Sequence, residues 1–137
     1  MVKNHLILPC EIAVKSVIPA IKATIAKELL ETYCLKQKQV AEILGISQSA
    51  VSKYTRKVRG YVIKIDNIDE IQPLISEMTH LLVNGKCQRA DFIDLFCKTC
   101  IIVRSKSLMC PFCKKADSKI RTTECGFCLT HTTSTKP

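Results

Sequence analysis

The chain has 137 residues and a formal net charge of +9, with nine cysteines, no tryptophan and only four glycines. That length holds one compact domain or two small ones, and so few aromatic residues build only a thin core, so a partner chain or a bound metal is expected to help. The glycine-rich phosphate cradles of nucleotide enzymes are excluded, and with no acid/base constellation the expectation is a protein that is not an enzyme. Positive charge gathers in residues 1–66 and 97–137, while the stretch between is net acidic. Such a distribution suits a polyanion at the ends and a protein contact in the middle. No run approaches the roughly 20 apolar residues of a membrane span. The stretch Leu6, Ile7, Leu8 is too short for a secretory signal and is interrupted by Pro9 and Glu11. A reducing cytoplasm is therefore expected, where paired cysteines point to metal rather than to disulfides.

Residues 1–16 show no clear periodicity, and Cys10 sits in a Leu-Pro-Cys-Glu turn. From Pro19 to Tyr33 the spacing predicts a helix, with proline in the first turn, where its missing N–H does no harm. Ile18, Ile21, Ile25 and Leu29 form its apolar stripe, and Lys22, Lys27, Glu28 and Glu31 cover the other sides. Cys34, just beyond it, reads as a small buried apolar residue.

Residues 37–57 carry the most informative pattern. A first helix from Gln37 to Leu44 would turn Val40, Ala41 and Leu44 inward, with Ala41 small enough to let a neighbour cross closely. Gly45 would stop it in the left-handed conformation, Ile46 would plug the corner, and Ser47 would cap a second helix. Val51 and Tyr54 would point back to the core. That leaves Gln48, Ser49, Ser52, Lys53 and Arg56 on an outer face, with Ser47 at its start. Glutamine pairs bidentately with adenine, lysine contacts guanine, and serine reaches base edges or phosphates. The expected arrangement is a helix-turn-helix with its second helix in the major groove of double-stranded DNA. An ordinary helical hairpin is the competing reading.

The run QVAEILGISQSAVSKY (residues 39–54) resembles the helix-turn-helix of lambda-repressor/Cro-like (XRE) regulators. More narrowly, residues 8–60 are similar to small archaeal transcriptional regulators that join such a domain to a cysteine-rich C-terminal part. The segment around Cys97–Cys113 matches that group loosely, and the Cys125/Cys128 pair departs from it. The resemblance implies a sequence-specific regulator.

Arg56, Lys57 and Arg59 follow the second helix and are candidate phosphate clamps, which orient a protein on DNA without reading sequence. Residues 61–65 read as a short strand or extended wing, or equally as a connector. In residues 67–84, Ile68, Ile71, Ile75, Met78 and Leu82 step at helical spacing. Pro73 predicts a kink or a helix start near Gln72, and Asn84-Gly85 is a stop signal. That stripe fits a homodimer seam or plain core packing; paired half-sites on DNA favour the dimer. A further helix from Gln88 to Val103 would turn Phe92, Leu95 and Phe96 inward.

Three Cys-x-x-Cys pairs follow: Cys97/Cys100, Cys110/Cys113 and Cys125/Cys128. A two-residue gap lets two sulfurs reach one ion, and a second pair completes a tetrahedron. The first two pairs make one such set. The last two make another, spaced like the knuckles of a zinc ribbon. His131 is a spare donor, and Cys10 and Cys87 are weaker extra candidates. Zinc is the default cofactor; an iron–sulfur cluster acting as a sensor is the alternative, although the C-x2-C-x2-C run is absent. Residues 129–137 are rich in threonine and read as a disordered tail.

The expected fold is mainly α. Residues 1–60 form a helix-turn-helix domain, 61–96 a helical linker or dimerisation segment, 97–128 a metal-binding module, and 129–137 the tail. The expected function is a DNA-binding transcriptional regulator, with no small-molecule substrate identified. The competing functions are a thiol-redox or electron-transfer protein and a zinc-ribbon adaptor of the transcription machinery.

Overall fold

The computed structural model describes residues 7–57, 59–61, 63–85, 88–116, 125 and 127–130. The protein is mainly helical, with no strand among these residues. Its axis is α2 (Val17–Glu31). Pro19 occupies the third helical position, where the backbone N–H would have no intrahelical partner. Ile21, Ile25 and Leu29 are wholly buried, as their spacing predicts, but so are Ala20, Ala23 and Ala26. The helix is thus covered on two sides rather than one. The alanines, too small to announce a stripe, let neighbouring backbones come close.

Around α2 pack α1 (Pro9–Lys15), α3 (Gln37–Leu44), α4 (Gln48–Thr55), α5 (Gln72–Asn84) and α6 (Arg89–Ser105). α1 lies in the stretch that sequence left unassigned. Pro9 starts it, and Ile12 and Ala13 are its buried residues. Ser16 joins α1 to α2, its hydroxyl donating to the Ile12 carbonyl at 2.7 Å, so a buried polar group is satisfied locally.

Pro73 stands in the first turn of α5, after a single 3-10 turn at Asp69–Ile71, and Gly85 ends the helix in the left-handed region. Ile71, Ile75 and Met78 are buried within the chain, α5 lying between α2 and α6. The stripe offered as a dimer seam therefore belongs to the protein's own core. Among the described residues after α4 there is no strand; Ile63 and Ile65 are buried there and anchor the segment as a connector.

One apolar cluster extends from Ile12 to Met109, so the helices flanking residue 60 share a core. Lys106 pairs with Glu70, and Lys27 with Asp66 at 3.9 Å, across the outside of that core. Beyond α6 come α7 (Cys110–Ala116) and the short α8 (Phe127–Thr130). Leu129 and Thr130, expected in the disordered tail, fall within α8; the rest of that tail, with His131, lies outside the described residues, as does Cys87. No helix among the described residues is long and apolar enough to cross a membrane.

Candidate nucleic-acid interface and cysteine cluster

The turn between α3 and α4 is built by local backbone chemistry. Gly45 has φ +67° and ψ +33°, the left-handed stop. Its N–H donates to the Glu42 carbonyl at 3.3 Å and that of Ile46 to Ala41 at 3.0 Å, satisfying carbonyls the helix end would leave unpaired. At the start of α3, Gln39 Oε1 accepts the Lys36 N–H at 2.9 Å. Ser47 Oγ accepts the Ala50 N–H at 3.0 Å and caps α4. Removing that acceptor frays the first turn of α4: Ser47→Ala is expected to cost about 1 kcal/mol in urea unfolding.

Burial divides α4 cleanly. Ala50, Val51 and Tyr54 are buried; Gln48 and Ser49 are exposed, and Ser52 and Lys53 half-buried. Val40 and Ala41 line the inner side of α3, with Leu44 and Ile46 half-buried at the corner. Thr55, which the sequence reading passed over, is also exposed, its hydroxyl donating to the Ser52 carbonyl at 2.8 Å.

Arg56, Lys57 and Arg59 are exposed beyond the C-terminal end of α4. Lys57 takes a left-handed φ of +58°, which turns the chain, and its Nζ sits 5.8 Å over the Tyr61 ring. Burial raises the Tyr54 hydroxyl pKa, and the neighbouring Arg59 charge partly offsets that rise. Three cations thus gather where α4 ends.

The paired cysteines occupy helical turns. Cys97 and Cys100 lie on α6, exposed and half-buried respectively; Cys110 and Cys113 lie on α7, both half-buried; Cys128 lies half-buried on α8, with Cys125 exposed just before it. Sequence spacing suggested ribbon knuckles, but α7 winds the Cys110/Cys113 pair into a helix. Cys34, expected to be buried, is exposed at a left-handed φ of +54°. Its role is to turn the chain out of α2.

Arg104 organises the cluster. Its Nε donates to Cys128 Sγ at 3.4 Å, and its guanidinium sits 5.9 Å from the Phe127 ring centre. Burial works against its charge, but the hydrogen bond to Cys128 and the nearby Cys128, Cys100 and Cys10 thiols outweigh it and raise the Arg104 pKa. Burial pushes the Cys100 thiol up; Arg104 opposes this, while Cys97 and Cys10 add to it. Burial likewise raises Cys113, helped by the charges of Cys128, Cys110 and Cys125 and opposed by Arg104. The donor chemistry, thiols with no carboxylate among them, fits a thiolate-bound metal. Among the described residues, however, no three ligating side chains converge on one point.

Cys10 is the member that the sequence offered only as a weaker extra candidate. It is a single cysteine, and only the packing of α1 against α7 brings it to the cluster. Comparison with protein-family models, with characterised proteins and with solved structures finds no match.

Proposed function

We propose that this chain is a sequence-specific DNA-binding regulator. The reading rests on one observation: α4 is turned across α3 at a left-handed Gly45, burying Ala50, Val51 and Tyr54 while leaving Gln48 and Ser49 open to solvent. On this reading the two helices are a helix-turn-helix. Gln48 pairs with an adenine edge, Lys53 extends to guanine, and Ser49 and Ser52 fill in between. Arg56, Lys57 and Arg59 grip phosphates and set the register. The Ser47 cap keeps the N-terminal end of α4 rigid as it enters the groove.

One such module makes few base contacts, so a homodimer on paired half-sites fits best. Its seam is a surface other than the buried α5 stripe. The C-terminal thiols hold zinc, which adds folding energy that a thin core lacks. Cys97, Cys100, Cys110, Cys113, Cys125 and Cys128 are its candidate ligands.

The test is a binding titration against genomic fragments at two salt concentrations. A dimer with three phosphate clamps per protomer should lose affinity with a log–log slope of about −5, and a small set of fragments should survive at high salt. Equal binding of all fragments, or none, would defeat the reading.

A further inference from the structure

We propose that the cleft between α2, α3, α5 and α6 is a binding site for a small amphipathic carboxylate, with an apolar body and one anionic head. The cleft has a volume of about 410 Å³, within the range of small-molecule sites. Its apolar lining comes from four helices: Ile25 on α2, Ile43 and Leu44 on α3, Leu82 on α5, and Phe92 and Phe96 on α6. Ile25 is wholly buried, but the other five are half-buried, so the described residues leave part of this surface uncovered. The α6 residues show it best. By spacing, Phe92, Leu95 and Phe96 share the inward side of that helix. Leu95 is buried, whereas Phe92 and Phe96 stay half-open, their ring centres 6.1 Å apart and tilted by 44°.

Charge decides the ligand class. Two cations complete the lining, Lys22 on α2 and Arg89 at the start of α6, and no acid joins them. Neither makes an ion pair among the described residues. Glu42 and Asp91, though close in sequence, do not line the cleft. Other clefts differ. The one beside Asp66 holds Lys27 with Glu28 and Glu31, and the one beside Glu70 holds Lys64 and Lys106 with Asp69. There cations and anions offset one another; here two positive charges border apolar walls. A carboxylate would accept charge-assisted hydrogen bonds from the ammonium and the guanidinium, while its apolar body covers the half-open leucine, isoleucine and phenylalanine surface. A phosphate fits less well, because the lining offers no hydroxyl or glycine N–H for its remaining oxygens.

Ile43 and Leu44 are the last two residues of α3, immediately before the left-handed Gly45 that turns the chain into α4. A ligand seated against them bears on the setting of α4. On the DNA-binding reading above, that makes the cleft an effector site; the binding proposal itself does not need that reading.

The test uses the full-length chain with labelled isoleucine and leucine methyl groups, titrated by NMR with octanoate as the probe and octanol as its uncharged counterpart. No DNA is present, so the outcome is independent of the DNA-binding reading. Octanoate should shift the methyls of Ile25, Ile43, Leu44 and Leu82 ahead of those of Ile63 and Leu108, which line the cleft beside Glu70. It should bind roughly tenfold more tightly than octanol. Lys22→Gln and Arg89→Gln should each weaken octanoate roughly tenfold and leave octanol unchanged. Lys22 is half-buried and Arg89 exposed, so the helical circular dichroism of both variants should match the wild type. Equal binding of octanoate and octanol, or unchanged octanoate affinity in both variants, would overturn the proposal by reducing the cleft to bare apolar surface. Shifts confined to other methyls, or no shifts, would overturn it too. Movement of the same four methyls with protein concentration alone would assign this face to contact between two copies, and the proposal would fall.

Discussion

Replacing Gly60 by alanine is expected to destabilise the protein by about 3–4 kcal/mol, combining a left-handed backbone penalty with overpacking. Gly60 has φ +85° and is buried against α2. A Cβ there would stand 2.6 Å from the Ala23 Cβ, 2.7 Å from the Pro19 carbonyl oxygen and 3.3 Å from Tyr54 Cδ1. Two of those three neighbours belong to α2, and one is a backbone atom that cannot swing aside. Gly45 supplies the control. Its φ is also positive, at +67°, but nothing lies within 4 Å of the added Cβ. Gly45→Ala should therefore cost only the backbone term, about 1–2 kcal/mol. Urea unfolding of the two variants measures the difference. Equal costs would mean that the chain leaving α4 does not pass against α2 as described. The contrast matters beyond stability, because Tyr54 anchors α4, and a shift at Gly60 would tilt the face that carries Gln48.

How much of this was legible beforehand depended on whether the cause was local. Gly45, Ser47 and Asn84-Gly85 act within a turn or two of chain, so their residue types alone predict where helices stop and start, and the helices do so there. The Ile21, Ile25 and Leu29 stripe was equally plain. Ala20, Ala23 and Ala26 were not, because alanine is common on exposed helix surfaces and only the neighbours on the far side of α2 reveal its burial. The α5 stripe shows the opposite difficulty. Its spacing is the same whether the partner is a second chain or α2 and α6, and three-dimensional packing alone decides. Cys34 was misjudged because its place is set by the left-handed backbone that ends α2, not by its apolar sulfur. Of the candidate sites, the α4 face could be listed residue by residue from helical spacing. The gathering of thiols around Arg104 could not, since it joins Cys10 to residues about a hundred positions away.

The central claim is that the outer face of α4 reads bases while the cations after it hold phosphates. Gln48 and Arg56 separate the two roles best. Gln48 is uncharged and exposed, so on the proposed reading its loss would remove a base contact without removing charge. Arg56 is exposed at the helix end, whereas Lys57 is also engaged with Tyr61 and would confound the comparison. The decisive measurement is the affinity of Gln48→Ala and Arg56→Ala for a selected site and for unrelated DNA, each across a salt series. Gln48→Ala should lose about 1–3 kcal/mol on the selected site and almost nothing on unrelated DNA, with relaxed choice at one base pair. Arg56→Ala should weaken both alike and flatten the salt slope by about 1 per protomer. Equal losses on both kinds of DNA in both variants, or no loss in either, would contradict the account.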